Sequence, residues 1–234
     1  MFLLEPPPSP LDLKWQMFGI PVRVHPFFWL FTALLGLGAL RQGVAYLLLW
    51  IVCVFVSILL HELGHVVVGK VFGSHGRILL YSFGGLAIGS SNLAERWQRV
   101  AVYLAGPASQ LLLVVTLAIP YKVYTGVTEG EGGGFIGELF YFLFVINGFW
   151  ALLNLLPVWP LDGGQVSREL FELANPAGGR RASLALSLAC AAALALVGLV
   201  FSVYTALLFG SLAFCSWQLL QVSAGQPGIR PNMK

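Results

Sequence analysis

From Tyr46 to Leu60 the chain runs fifteen residues with Ser57 as the only clearly polar side chain, then reads "HELGH" before apolar sequence resumes. Such a run is most of what a membrane-crossing helix needs, about 20 apolar residues. Similar runs recur, and together they set the fold class: an all-α membrane protein. Six transmembrane helices are expected, at about 25–40, 46–72, 99–121, 135–157, 182–200 and 204–222. The last two form one nearly continuous apolar stretch, divided around Gly198 to Tyr204. The first is short and needs a tilt or an extension. Composition agrees, since only 10% of residues are charged, against about 25% in soluble domains.

Positive charge orients the spans, because Lys and Arg gather on cytoplasmic loops. In a six-helix arrangement Lys14, Arg23, Lys70, Arg77, Arg96, Arg99, Arg168, Arg180, Arg181, Arg230 and Lys234 fall on one side, with only Arg41 and Lys122 opposite. Both termini are therefore expected in the cytoplasm, and the chain in the cell (inner) membrane. A net charge of +3 is too small to suggest a nucleic-acid partner. Cys53, Cys190 and Cys215 lie scattered in apolar segments and read as small hydrophobes. The opening "MFLLEPPPSP" lacks the basic start of a signal peptide.

Three regions are expected. Residues 1–24 are a cytoplasmic Pro-rich start followed by the extended-looking "GIPVRV". Residues 25–222 are the polytopic membrane domain, with its core at about 46–165, and residues 223–234 are a short cytoplasmic tail. "GEGGG" at 130–134 reads as a flexible outer loop. The stretch "GRILLYSFGGLAIGSS", residues 76–91, is apolar but too short to span. It reads as a membrane-associated β-hairpin or re-entrant loop around Gly84-Gly85.

Within "HELGH", His61 and His65 stand four apart and share one helical face, so one ion can bind both; Glu62 lies beside them as a candidate general base. Placing such groups in a lipid-embedded helix costs free energy, about 2.5–3.5 kcal/mol for a charged residue at bilayer centre. That cost argues against a chance occurrence. From Tyr46 to His61 is roughly 22 Å of helix at 1.5 Å per residue, which places the motif in the cytoplasmic third of the membrane. Catalytic zinc takes three protein ligands and a water. Asp162, in "NLLPVWPLDGGQ" just past the fourth expected helix and at the same membrane level, is the candidate third ligand. Pro157 and Pro160 break that helix, and Gly163-Gly164 would let its flexible end turn back.

"HELGH" in one membrane helix and "NLLPVWPLDGG" about a hundred residues later resemble the site-2 protease family of intramembrane zinc metalloproteases, in a short form without an appended PDZ or CBS domain. "GIPVRVH", "FGG" at 83–85 and "AGP" at 105–107 belong to the same resemblance, which covers about residues 19–170. It implies one zinc ion per chain on His61, His65 and Asp162, with Glu62 activating water, and a core of the second, third and fourth helices. Many relatives carry Asn where this chain has Gln110, which is therefore given no catalytic role. Substrate contacts fall to Asn154, as a donor to the substrate backbone or the developing oxyanion, and to Gly84 and Gly85, as an edge for a strand-like substrate. Asn154 can equally be a residue near a helix C-terminus, and the glycine segment a plug over the site. Asn147, mid-helix, reads as an interhelical hydrogen bond, and His25 and His75 as interfacial or solvated histidines.

The expected function is an intramembrane zinc endopeptidase. It would cut membrane-anchored proteins near the cytoplasmic side, within the lipid bilayer and with room for a regulatory membrane partner. The alternatives are a metal transporter and a non-catalytic binder of transmembrane segments. A transport path should carry ligands across the whole bilayer, and ionisable groups elsewhere in the spans are sparse. A pure binder needs no Glu62.

Overall fold

A computed structural model describes residues 5–82, 84–128 and 133–225. Phe83 of the "FGG" motif, most of the expected outer loop at 130–134, and residues 226–234 of the tail lie outside the described residues. So do Arg230 and Lys234 of the charge pattern. The chain divides into two compact units, Met1–Leu152 and Leu153–Lys234.

The first unit carries β1 (Leu13–Met17), β2 (Ile20–Val24), α1 (Pro26–Leu35), α2 (Val44–Val71), β3 (Arg77–Tyr81), β4 (Gly84–Ile88), α3 (Arg96–Val127) and most of α4 (Gly134–Asn154). The strands form one sheet in the order β1-β2-β3-β4. Two antiparallel hairpins, β1–β2 and β3–β4, are joined by a parallel pairing of β2 with β3 that sets Val22 beside Ile78 and Val24 beside Leu80. The β1–β2 turn is made by Phe18 and Gly19, both at positive φ, the conformation a tight two-residue hairpin requires. The buried side chains of β2 and β3 join Phe28 of α1 and Cys53, Ile58 and Val66 of α2 in one apolar core. The Pro-rich start is strapped over the sheet. Arg23 pairs with Asp12 at 2.7 Å and donates to the Pro6 and Pro7 carbonyls, while Glu5 pairs with Arg77 at 2.6 Å.

The second unit holds α5 (Asp162–Ala174), α6 (Gly179–Phe201) and α7 (Val203–Gly225). The apolar stretch that closes the chain divides at Ser202, inside the expected window. Gly198 makes that bend compact, since a Cβ there would lie 2.5 Å from the Ala206 amide nitrogen. Ser187 of α6 and Ser216 of α7 hydrogen-bond at 2.7 Å, both buried.

Among the described residues five helices, not six, are long and apolar enough to cross a membrane. The first expected span is ten residues of α1 followed by a 3-10 turn, Ala39–Gln42. Ten helical residues rise about 15 Å, half of a hydrocarbon core of about 30 Å. The helix stops at Gly36, where the Trp50 indole of α2 occupies the space a side chain would need. The expected hairpin at 76–91 is present as β3–β4. The pairing of β2 with β3, by contrast, joins segments too far apart in sequence for local pattern to reveal. Helix α5 is also absent from the expected elements. Gly163 and Gly164 lie inside its first turn rather than in a flexible end. A Cβ on Gly163 would lie 2.6 Å from the Leu156 carbonyl oxygen, and one on Gly164 would lie 2.6 Å from that of Val158. These glycines allow close packing, and Asp162 starts a helix.

Asn147 is the interhelical contact its position suggested. It is fully buried in α4 and donates through Nδ2 to Ser57 Oγ of α2 at 2.8 Å. Such bonds average only about 0.6 kcal/mol in membranes. The contact therefore pins the register of two helices more than it holds the fold together.

Candidate metal centre

Residues four apart fall on one helical face, and two such rows meet between α2 and α3. Ser57, His61 and His65 form the row on α2. Val102, Gly106 and Gln110 form the row on α3, running antiparallel to it. His65 Nδ1 lies 2.7 Å from the Val102 carbonyl oxygen, His61 Nδ1 lies 3.0 Å from Gln110 Oε1, and Gln110 Nε2 lies 3.4 Å from the Ser57 carbonyl oxygen. The helices approach closely because glycine faces them on both sides. A Cβ on Gly64 would lie 2.6 Å from the Ala105 carbonyl oxygen, and one on Gly106 would lie 2.5 Å from His65 Cε1 and 2.8 Å from His61 Cε1.

In neutral rings these contacts favour a proton on Nδ1. A carbonyl oxygen only accepts, so His65 carries its proton on Nδ1. Gln110 presents Oε1 to His61, because its Nε2 donates to Ser57, so His61 is protonated on Nδ1 as well. The two Nε2 atoms lie 3.1 Å apart, a separation one shared ion can span. Two nitrogens at 2.0–2.1 Å from a tetrahedral zinc stand roughly 3.3 Å apart. His61, Glu62 and His65 are all buried, with at most 5% exposure. Hydrogen bonds from the outer ring nitrogens to protein acceptors are the usual support of metal-ligating histidines. His61 and His65 lie in the first unit, and Asp162, the expected third ligand, lies in the second. Two imidazoles and a carboxylate are also the donor set a catalytic zinc takes.

Glu62 occupies the next position on α2 and meets the sheet. A Cβ at Gly85 of β4 would lie 2.5 Å from Glu62 Oε1 and 2.6 Å from its carboxyl carbon. Gly84 faces the Trp150 ring at 3.4 Å. In the sheet order β4 is an edge strand, so its outer backbone groups are not paired within the sheet. Gly85→Ala is expected to push the Glu62 carboxylate out of place. If Glu62 serves as the base of a zinc site that cuts membrane substrates, bound zinc should stay within about twofold of the parent while turnover falls about 10–100-fold, as for a misplaced reacting group. Unchanged turnover would show that the approach of β4 to Glu62 has no consequence.

The remaining expectations divide by unit. In the second unit, Asp162 is the first residue of α5, where the positive end of the helix dipole favours a carboxylate. Asn154 is buried at the end of α4, three residues before Pro157. In the first unit, His25 caps α1, its Nδ1 accepting from the Phe27 amide at 3.2 Å, and His75 is exposed in the loop before β3. Gln110, passed over in the sequence, is fully buried and touches His61. Its place four residues after Gly106 and eight after Val102 was the signal that could have found it.

The model of peptidase family M50 matches residues 131–198, the stretch that includes "NLLPVWPLDGG". The zinc metalloprotease MJ0392 of Methanocaldococcus jannaschii is 31% identical over 158 residues, covering 67% of this chain and 44% of that protein. Stage IV sporulation protein FB of Bacillus subtilis is 31% identical over 169 residues, covering 70% of this chain and 52% of that protein. The chain thus spans about half the length of these relatives. The solved structure of the site-2 protease from Methanocaldococcus jannaschii has the same fold, with a TM-score of 0.56 over 95% of this chain and 98% of that one, at 23% identity. Motif pair, relatives and fold agree: the chain belongs to peptidase family M50, the site-2 protease family.

Proposed function

We propose that this chain is an intramembrane zinc endopeptidase that hydrolyses peptide bonds of membrane-anchored proteins near the cytoplasmic side of the bilayer. The observation that carries the reading is the buried pair His61 and His65, their Nε2 atoms 3.1 Å apart, with Glu62 beside them on a helix fit to cross a membrane. His61, His65 and Asp162 are the three protein ligands in this reading. Held by these residues, zinc would supply a water of pKa about 7, a nucleophile available at neutral pH. Glu62 takes the proton from the attacking water and returns it to the departing amine. Asn154 donates to the substrate backbone or to the oxygen on which negative charge develops.

A membrane helix keeps its peptide bonds in its own hydrogen bonds, so a substrate must unwind before it is cut. The edge of β4 offers an unwound segment a place to pair as a strand. Gly84 and Gly85 leave that edge bare of side chains close to Glu62. Gly or Pro near the cut site should therefore speed cleavage.

The cytoplasmic orientation of both termini, in a cell (inner) membrane, belongs to the same reading. Lys70 Nζ reaches the Phe18 carbonyl oxygen at 3.5 Å, which supports placing the β1–β2 turn at the basic, inner end of α2. The chain then returns through α1 and the 3-10 turn to the outer end of α2. Five long helices are thus compatible with an N-terminus inside.

The test is the third ligand. In vesicles holding a membrane-anchored substrate, the parent chain should cleave, stop when a chelator removes zinc, and resume when zinc is restored. Asp162→Ala should lose at least about 10-fold in zinc affinity and cleave no faster than the chelated parent. Full zinc content in that variant would refute the ligand role of Asp162, and cleavage indifferent to the chelator would refute the zinc mechanism.

A further inference from the structure

The two histidines are supported unequally. His65 Nδ1 is held by a backbone carbonyl, that of Val102, which no substitution at residue 102 removes. His61 Nδ1 is held by a side chain, Gln110 Oε1 at 3.0 Å. Gln110 has no exposed surface at all. Burying an amide is costly unless its polar atoms are paired, and both ends of this one are engaged. Oε1 accepts from His61, and Nε2 donates to the Ser57 carbonyl oxygen at 3.4 Å. Ser57 lies one turn before His61 on α2, so the amide spans the turn that carries the imidazole. Ser57 is itself fixed from a third helix by the Asn147 bond to its hydroxyl at 2.8 Å.

We infer that Gln110 is a positioning residue: its side-chain carbonyl keeps the His61 proton on Nδ1 and holds the ring so that Nε2 faces His65. The inference rests on the reading of His61 as a zinc ligand. Without an acceptor at Oε1, the proton is free to move to Nε2. That tautomer has no lone pair on Nε2, the nitrogen that faces His65, and the ring is free to turn about its side-chain bonds. A residue that merely filled space between α2 and α3 would need length and volume but no carbonyl. Methionine matches those requirements.

The experiment compares Gln110→Met and Gln110→Glu with the parent, each purified as the full chain in detergent. Zinc affinity is measured by competition with a chromophoric chelator, and thermal stability is measured on the metal-free protein. Glutamate keeps an acceptor toward His61 in either protonation state and, when protonated, can also donate to the Ser57 carbonyl. Loss of a histidine's outer hydrogen bond typically costs about 10–100-fold in metal affinity. Gln110→Met should weaken zinc by that factor, and Gln110→Glu should bring it back to within about threefold of the parent. The visible spectrum of the cobalt-substituted protein should change in the methionine variant and not in the glutamate variant. Gln110→Leu makes the same removal with a different shape, should methionine fail to fold. Zinc affinity unchanged in the folded methionine or leucine variant would overturn the inference. So would equal weakening in the acceptor-lacking and glutamate variants, since that is what a packing role predicts. A parent chain that takes up no zinc would instead sink the metal reading itself.

Discussion

Glu62→Gln is expected to keep its zinc and lose its turnover, with cleavage of a membrane-anchored substrate falling about 10²–10⁴-fold, the usual contribution of a general acid–base. The amide has nearly the shape of the carboxylate, so the approach of Gly85 to this side chain is preserved. What disappears is the ability to accept a proton. In the proposed mechanism Glu62 is not one of the three ligands, so zinc affinity should stay within about twofold of the parent, against the 10–100-fold that lost ligand support costs. Zinc content measured beside cleavage in vesicles separates the alternatives. Normal cleavage would remove Glu62 from the mechanism. A flux of zinc through the vesicles, unaffected by the substitution, would favour a transporter.

Gly106→Ala should fail in the opposite way, by losing the metal. Its methyl carbon would stand 2.5 Å from His65 Cε1 and 2.8 Å from His61 Cε1, well inside contact distance. Either both rings swing aside, which breaks the pair of Nε2 atoms, or α3 retreats from α2, which breaks the outer hydrogen bonds of the rings to Gln110 and Val102. Overpacking of this kind costs about 1–3 kcal/mol of stability. The larger effect is on the ion, with zinc affinity expected to fall by about 100-fold or more, at or beyond the upper end of what lost ligand support costs. Chelator competition on the purified variant measures this directly. Parent-like affinity would mean that the space between α2 and α3 is not where zinc is held.

The parts of this protein legible in its sequence are those written at short range. Residues four apart on one helix announce His61 and His65, apolar runs announce the long helices, and Gly84-Gly85 in a short apolar stretch announces a hairpin. What escaped needed a partner from elsewhere. The glycine of "AGP" shows its purpose only when α3 is laid against α2 and Gly106 meets two imidazoles. Gln110 could be compared only with its usual counterpart, and that comparison hid its contact with His61. The first expected span failed for a related reason. Apolar composition measures preference for lipid and not helix length, and α1 ends at Gly36, packed against the Trp50 indole. The glycines after Asp162 read as freedom of movement because glycine confers it in isolation; packed beneath backbone carbonyls, they confer the reverse.

The parallel pairing of β2 with β3 sets an order on biosynthesis. The helix bearing the histidines is part of the crossover that joins two strands of one sheet, so α2 must be threaded into the bilayer before β3 can find β2. The β1–β2 ribbon leaves the ribosome first and must wait with one long side open, a state in which strands readily pair with the wrong neighbour. Glu62 meets Gly85 only after that wait ends.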